Sequence, residues 1–300
     1  DFKIAYLFII GGNDSAANAK ELGRISDLNG YKLQVIHVPK TIDNDLVGTD
    51  HSPGYGSTAR FISLATMGAG KDAQTMGESA PITIIEVMGR DAGWIAASSS
   101  LGKNNYHDPP HIVCVPEHIT NYEHFLNQLE NAHRKFGYAV AVVAENSRNA
   151  DGIIGSKEEA LYEDQFGHKY FEGAGFHLSK LAESQLKVRV RYEKPGTIQR
   201  SMVSCISSVD AEEAEMVGTK AVQYAVDGAT EVMVSIRRDG VSSKYSSSTH
   251  LTPVEEVADK VKYLPAIYFD KQNSLPTEAF KSYAIPLIGT PLPKFADLLK

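Results

Sequence analysis

Lys3-Ile4-Ala5-Tyr6-Leu7-Phe8-Ile9-Ile10, running into Gly11-Gly12-Asn13-Asp14-Ser15, is the stretch that decides the fold. An apolar run of strand length meets two glycines, then a helical pattern over Ser15–Leu28, then a second apolar run at Leu33–Val38. Strand, helix and strand in that order form a crossover unit on a parallel sheet. The alternation continues along the chain. Ile82–Val87, His111–Val115, Tyr138–Ala144, Lys187–Tyr192 and Glu231–Ile236 read as strands, and Ser57–Gly70, Asn121–Phe136, Phe176–Ser184 and Asp210–Val226 as helices. Strands this continuously apolar belong in sheets covered on both faces, so an α/β fold with mainly parallel sheets is expected. Ligands bind such sheets at the carboxyl ends of strands, which directs attention to the loops there. Ser235–Thr252, with its serine clusters, reads as a surface loop or hairpin.

Composition removes several classes of function. Lys and Arg number 30 against 37 Asp and Glu, a net charge of −7, which disfavours a general nucleic-acid or anionic-membrane binder. An anionic ligand must therefore be held by a local cluster of donors. Apolar residues at 42% and charged residues at 22% fit a globular chain, long enough for one large domain or two lobes. Cys114 and Cys205 cannot make a disulfide framework, so a reducing cytoplasm is expected. The longest apolar runs fall far short of the roughly 20 residues that span a bilayer. The chain opens on Asp1 without a basic leader region, and its first strand reads as an internal one at the start of a fragment.

Five loops carry candidate chemistry. Gly11-Gly12 before a helix lets backbone approach a phosphate, which the helix N-terminus would attract; a plain turn capped by Ser15 or Asp14 is the alternative. The second strand ends in Pro39-Lys40-Thr41-Ile42-Asp43-Asn44-Asp45. In an extended segment Asp43 and Asp45 would face one side and could divide a base role and a magnesium-organising role, with Lys40 and Thr41 as donors to phosphate oxygens. An Asx-rich turn would show the same composition. Met88-Gly89-Arg90 ends a further strand, where an arginine fork could clamp a phosphoryl group or make an ordinary surface ion pair. Glu145 and Arg200 stand at two more loop positions, each unremarkable singly.

Together Gly-Gly-Asn-Asp-Ser, Pro-Lys-Thr-Ile-Asp-Asn-Asp, Met-Gly-Arg-Asp-Ala-Gly-Trp and Ile-Gln-Arg-Ser, in this order, resemble the phosphofructokinase family, and its pyrophosphate-dependent branch in particular. The resemblance runs from Gly11 to Gly289. It implies two Rossmann-like three-layer lobes, 1–54 with about 210–272 for the phosphoryl donor and 55–209 with about 273–300 for the sugar phosphate. It further implies Asp43, Arg90 and Thr41 as catalytic residues, and Met88, Gly89, Glu145 and Arg200 as sugar-phosphate contacts. Gly11, Gly12, Asp14, Ser15 and Lys40 would line the donor site, and Asn13 and Asp45 would organise Mg2+. ATP-using members generally carry glycine at the places of Asp14 and Lys40, so both residues imply pyrophosphate. The implied partners are pyrophosphate and fructose 6-phosphate, with no nucleic acid and no membrane, in a homo-oligomer working in cytoplasmic glycolysis. An ATP-dependent kinase and a catalytically weak sugar-phosphate-binding subunit are the alternatives. Departures motivate the second of these: Asn13 stands where many members have a metal-binding Asp, and Pro81 where many have a basic residue reaching across a subunit boundary. The segment Ser201–Val209 lacks the usual Gly-Gly, and nothing matches the family's N-terminal phosphate-loop segment.

Overall fold

The computed structural model describes residues 3–156, 162–163, 169–170, 173–240 and 245–296. Two four-stranded sheets organise it. The first holds β1 (Tyr6–Gly11), β2 (Gln34–Pro39), β7 (Val232–Arg238) and β8 (Ser247–Pro253) in that order. β1 and β2 run parallel with Tyr6 opposite Gln34 and Gly11 opposite Pro39, β7 runs parallel to β2, and only β8 is antiparallel. The second sheet is all parallel: β6 (Val190–Glu193), β3 (Ile82–Val87), β5 (Ala139–Ala144) and β4 (Ile112–Cys114).

Side-chain alternation explains why both sheets are sandwiched. Along β5, Ala139, Ala141 and Val143 point into one core with Phe125 and Leu129 of α4 (Tyr122–Phe136) and Leu178 of α5 (Ala174–Leu186). Val140, Val142 and Ala144 point into another with Tyr55, Ala59 and Ile62 of α2 (Tyr55–Met76). In the first sheet Ile36, Val38, Val234 and Ile236 pack on α6 (Ser208–Val226), while α1 (Asn13–Leu28) covers the other face through Ala16 and Ala19.

Several boundaries differ from expectation for physical reasons. α1 starts at Asn13, so the helix is entered from Gly12 and neither Ser15 nor Asp14 caps it. α2 begins two residues early because Asp210, from α6, accepts the backbone N–H groups of Gly54 and Ser57 at 2.8 Å each, a cap supplied from 150 residues away. It also runs on past Gly70, whose missing Cβ admits Pro109; a Cβ there would lie 2.4 Å from the proline Cγ. The segment from Lys187 is not strand at first, because Lys187 is the left-handed C-cap of α5. Ser235–Thr252 is a hairpin rather than a loose surface loop: Ser235 and Thr252 are buried and hydrogen-bonded to each other at 2.7 Å. Its Ser242-Ser243 lies outside the described residues. Leu264 and Phe269 bury in the core of the second sheet with Phe280 and Leu287.

A buried polar network lies just after the Asp43 loop and ties it to α6 and β7. His51 donates through Nδ1 to Asp50 at 2.8 Å and through Nε2 to Glu213 of α6, while Arg238 of β7 contacts Asp50 at 2.9 Å. Tyr245 adds a hydroxyl bond to Glu213. Burial opposes charge throughout, yet the His51 and Arg238 bonds hold Asp50 at about 2, and the two carboxylates hold His51 above its ordinary value. Glu213 likewise lies below its ordinary value despite burial. A raised histidine stabilises fully below its unfolded value and loses this as pH rises, whereas lowered carboxylates stabilise above theirs and lose this as pH falls. The network should therefore stabilise most between about pH 4.5 and 6.5, the ordinary glutamate and histidine values. Glu213→Ala should cost about 3 kcal/mol, the low end for breaking a buried pair because Asp50 still pairs His51. Urea midpoints across pH check this, and a gap between wild type and variant that widens above pH 7 would contradict it.

Candidate active site

Strand register brings the first two loops together. With Gly11 opposite Pro39, the turn into α1 and the Lys40–Asp45 loop leave adjacent strand ends, and Lys40 N–H donates to the Gly11 carbonyl at 3.0 Å. Gly11 must lack a Cβ, since one would lie 1.9 Å from the Ser15 hydroxyl. Gly12 faces Thr41, where a Cβ would lie in ordinary contact at 3.6 Å from the threonine Cβ. Asp14 and Lys40 are both exposed at this rim.

The Lys40–Asp45 loop is not extended. Asn44 takes a left-handed φ of 55°, so Asp43 and Asp45 meet through a bend and not by the alternation of a strand. Thr41 is engaged inside the loop, accepting the Asp43 N–H at 3.1 Å and bonding the Asp45 carboxylate. Burial lifts Asp43 to about 6; Asp45 adds to this, and Arg90 and Arg200 oppose it. Burial also raises Asp45, with the Asn13 bond and Lys262 among the opposing influences.

The second sheet supplies the facing wall. Glu145 N–H donates to Val87 O at 2.9 Å, and Met88 N–H to the Gln199 side chain at 3.2 Å, which gathers the Met88–Arg90 loop, Glu145 and the turn holding Arg200. Burial pushes Glu145 up to about 7, helped by Asp43 and Glu86 and opposed by Lys194 and Arg90. Gly89 adopts a φ of 108°. Arg90 and Arg200 are exposed, and neither is held in an ion pair among the described residues. Pro81, by contrast, is buried at the opposite end of β3, its carbonyl accepting Ala139 N–H.

A profile of the phosphofructokinase family matches residues 1–225. The chain belongs to the phosphofructokinase family. It is 38% identical over 298 residues to a pyrophosphate–fructose 6-phosphate 1-phosphotransferase of Rhodospirillum rubrum, covering 97% of this chain and 72% of that one. An ATP-dependent 6-phosphofructokinase of Streptomyces coelicolor is 29% identical over 276 residues, 92% of this chain and 73% of that one. The solved pyrophosphate-dependent phosphofructokinase of Nitrosospira multiformis superposes with a TM-score of 0.85 at 31% identity, over 99% of this chain and 71% of that one. The two-sheet α/β architecture is thus the phosphofructokinase fold.

Phosphofructokinase-family enzymes work with a divalent metal ion, and the site offers oxygens that suit one. Asn13 Nδ2 donates to Asp45 Oδ2 at 2.7 Å, which leaves Asn13 Oδ1 and Asp45 Oδ1 buried without partners; Asp43 Oδ1 is in the same condition. Hard oxygen donors in this number fit a cation that takes its remaining ligands from phosphate and water. Among the described residues no cluster of three or more His, Cys, Asp or Glu forms a closed metal cage. Also among them, no helix is long and apolar enough to cross a membrane.

Residues that sequence reading passed over also shape the site. Lys262 donates its N–H to Asp45 O at 2.7 Å, and burial draws its ammonium down to about 7 against the Asp50 and Asp45 charges. Glu117 accepts the N–H groups of Gly93 and Leu264 at 2.9 and 2.7 Å. Both act over long sequence separations, and no local pattern announces them.

Proposed function

We propose that this enzyme transfers a phosphoryl group from pyrophosphate to the 1-hydroxyl of fructose 6-phosphate, giving fructose 1,6-bisphosphate and phosphate. One observation carries the choice of donor: Asp14 and Lys40 stand together at the adjacent ends of β1 and β2, an acid at a place that disfavours a nucleotide's further phosphate and a lysine suited to a compact dianion. The named activity of the Rhodospirillum relative supports the same reading.

Asp43 acts as the base, taking the proton of the sugar's 1-hydroxyl as that oxygen attacks the phosphorus; the bond to the bridging oxygen breaks, and phosphate leaves toward Lys40. Its raised value keeps it basic enough for this while it stays largely ionised near neutrality. Arg90, exposed and facing Asp43, meets the charge of the moving group. Met88, Gly89, Glu145 and Arg200 hold the sugar phosphate, while Gly11, Gly12 and Ser15 bring backbone to the donor. Asn13 and Asp45 would hold Mg2+, which would supply charge neutralisation to pyrophosphate. Thr41 contributes by fixing the loop through its bonds to Asp43 and Asp45. The setting is cytoplasmic glycolysis, and exposed Ile198, Met202, Val203 and Ile206 around Arg200 support a homo-oligomer.

Full-length enzyme assayed with fructose 6-phosphate, magnesium and either pyrophosphate or ATP tests the reading. Turnover should require pyrophosphate; turnover with ATP and none with pyrophosphate would overturn it. Arg200→Ala should raise the KM for fructose 6-phosphate more than that for pyrophosphate, because a guanidinium on the sugar phosphate binds ground and transition states alike. Initial-rate kinetics would show it, and an unchanged sugar KM would place the 6-phosphate elsewhere.

A further inference from the structure

Lys262 lies 218 residues from Asn44 in sequence, yet its ammonium bonds that side chain's Oδ1 at 3.1 Å. The same nitrogen donates to the carbonyls of Thr49 at 3.2 Å and Asp50 at 2.9 Å. Three protons thus meet three oxygens, all on the segment that carries Asp43 and Asp45. The backbone N–H of Lys262 adds a fourth bond, to Asp45 O at 2.7 Å.

The lysine is itself fixed from the other lobe. Trp94 lies at the start of a short helix, Trp94–Ser98, directly after the Arg90 loop; its indole N–H donates to Lys262 O at 2.9 Å, and its ring lies 5.1 Å from the ammonium. Two residues on, Leu264 N–H reaches Glu117, which also accepts Gly93 N–H. A continuous chain of bonds therefore runs from the Asp43–Asp45 loop through residues 262–264 to the loop after Arg90.

We infer that Lys262 is a positioning residue for the phosphoryl transfer, holding Asn44 and the Asp45 backbone so that the acid loop keeps its bend and its place relative to the Arg90 loop. The need is visible in the loop. Asn44 sits in a left-handed conformation between the two acids, one that asparagine adopts more readily than most residues, so what the loop needs from its surroundings is that this bend be held in one place. Its side chain is held from both sides, by Lys262 at Oδ1 and by donation from Nδ2 to the Tyr283 hydroxyl at 3.0 Å. Lys262 touches neither reacting carboxylate directly in this arrangement; it acts through Asn44 and the main chain.

The inference rests on the reaction proposed above, so wild-type enzyme with pyrophosphate and fructose 6-phosphate is the control that separates the two. If wild type turns over with this pair, Lys262→Met should lower kcat per folded enzyme by roughly 10², the cost of a misplaced reacting group, while the KM for fructose 6-phosphate changes by less than about threefold. Asn44→Gly keeps the left-handed backbone and removes the contact, so it should lower kcat as well, and the double variant should be little worse than Lys262→Met alone. Trp94 is the sole tryptophan, so its emission reports whether the segment around Lys262 remains docked in each variant. Costs that multiply in the double variant would show that Lys262 does not act through Asn44 and would overturn the inference. So would a kcat per folded enzyme near wild type in Lys262→Met, whatever its melting temperature. Should that variant not fold, Lys262→Gln keeps two donors and gives the same readings.

Discussion

Replacing Asp43 by Asn should lower kcat by about 10²–10⁴, the range for removing a general base, while leaving substrate binding largely intact. Several observations single this carboxyl out. Its Oδ1 is buried without a partner, as is that of Asp45, and burial with the Asp45 charge lifts it to about 6, so it can both hold and release a proton near neutrality. Asn preserves shape and leaves the backbone bond from Asp43 N–H to Thr41 in place, so a loss of turnover would report the proton transfer and not collapse. Steady-state kinetics in both directions, with a melting curve for each protein, make the measurement. Turnover near wild type would remove Asp43 from the role.

The second large effect concerns the donor. Wild-type enzyme should prefer pyrophosphate over ATP by about 10³, since an acid brought against an additional phosphate once the donor covers this rim costs several kcal/mol and each tenfold needs about 1.4. Asp14→Gly should weaken pyrophosphate use and admit some ATP, and Lys40→Gly should be needed for a fuller switch. The effects should not add, because Lys40 N–H is bonded to Gly11 beside the turn that carries Asp14, and the two side chains serve one phosphate site. Ratios of kcat/KM for the two donors across the four proteins decide it. If Asp14→Gly leaves the ratio unchanged, the acid has no part in donor choice.

What the sequence shows and what it hides divide by the range of the interactions involved. The strands were legible because each is a local apolar run, and the reactive loops because each is a short string at a strand's carboxyl end; Thr41–Asp45 and Met88–Arg90 lie there in the structure. The bend at Asn44 was not, since alternation suggested an extended segment and the left-handed turn is enforced by Lys262 and Tyr283 from far along the chain. The start of α2 was misjudged for the same reason, its cap being Asp210. Asn13 was a sign of weakness when judged by charge alone. Its bond to Asp45 frees an amide oxygen beside a carboxylate oxygen, an arrangement visible only once β1 and β2 are paired.

In the proposed site the two sheets also divide the labour of recognition. Asp14 and Lys40 leave β1 and β2 in one, whereas Met88, Gly89 and Glu145 leave β3 and β5 in the other. On the reading proposed above, the residues that choose the donor and those that choose the acceptor share no strand. A lineage could exchange its energy currency by changes confined to the first sheet, and its sugar by changes confined to the second. Each specificity is then a separately heritable trait, free to drift while the acid loop between them is held fixed.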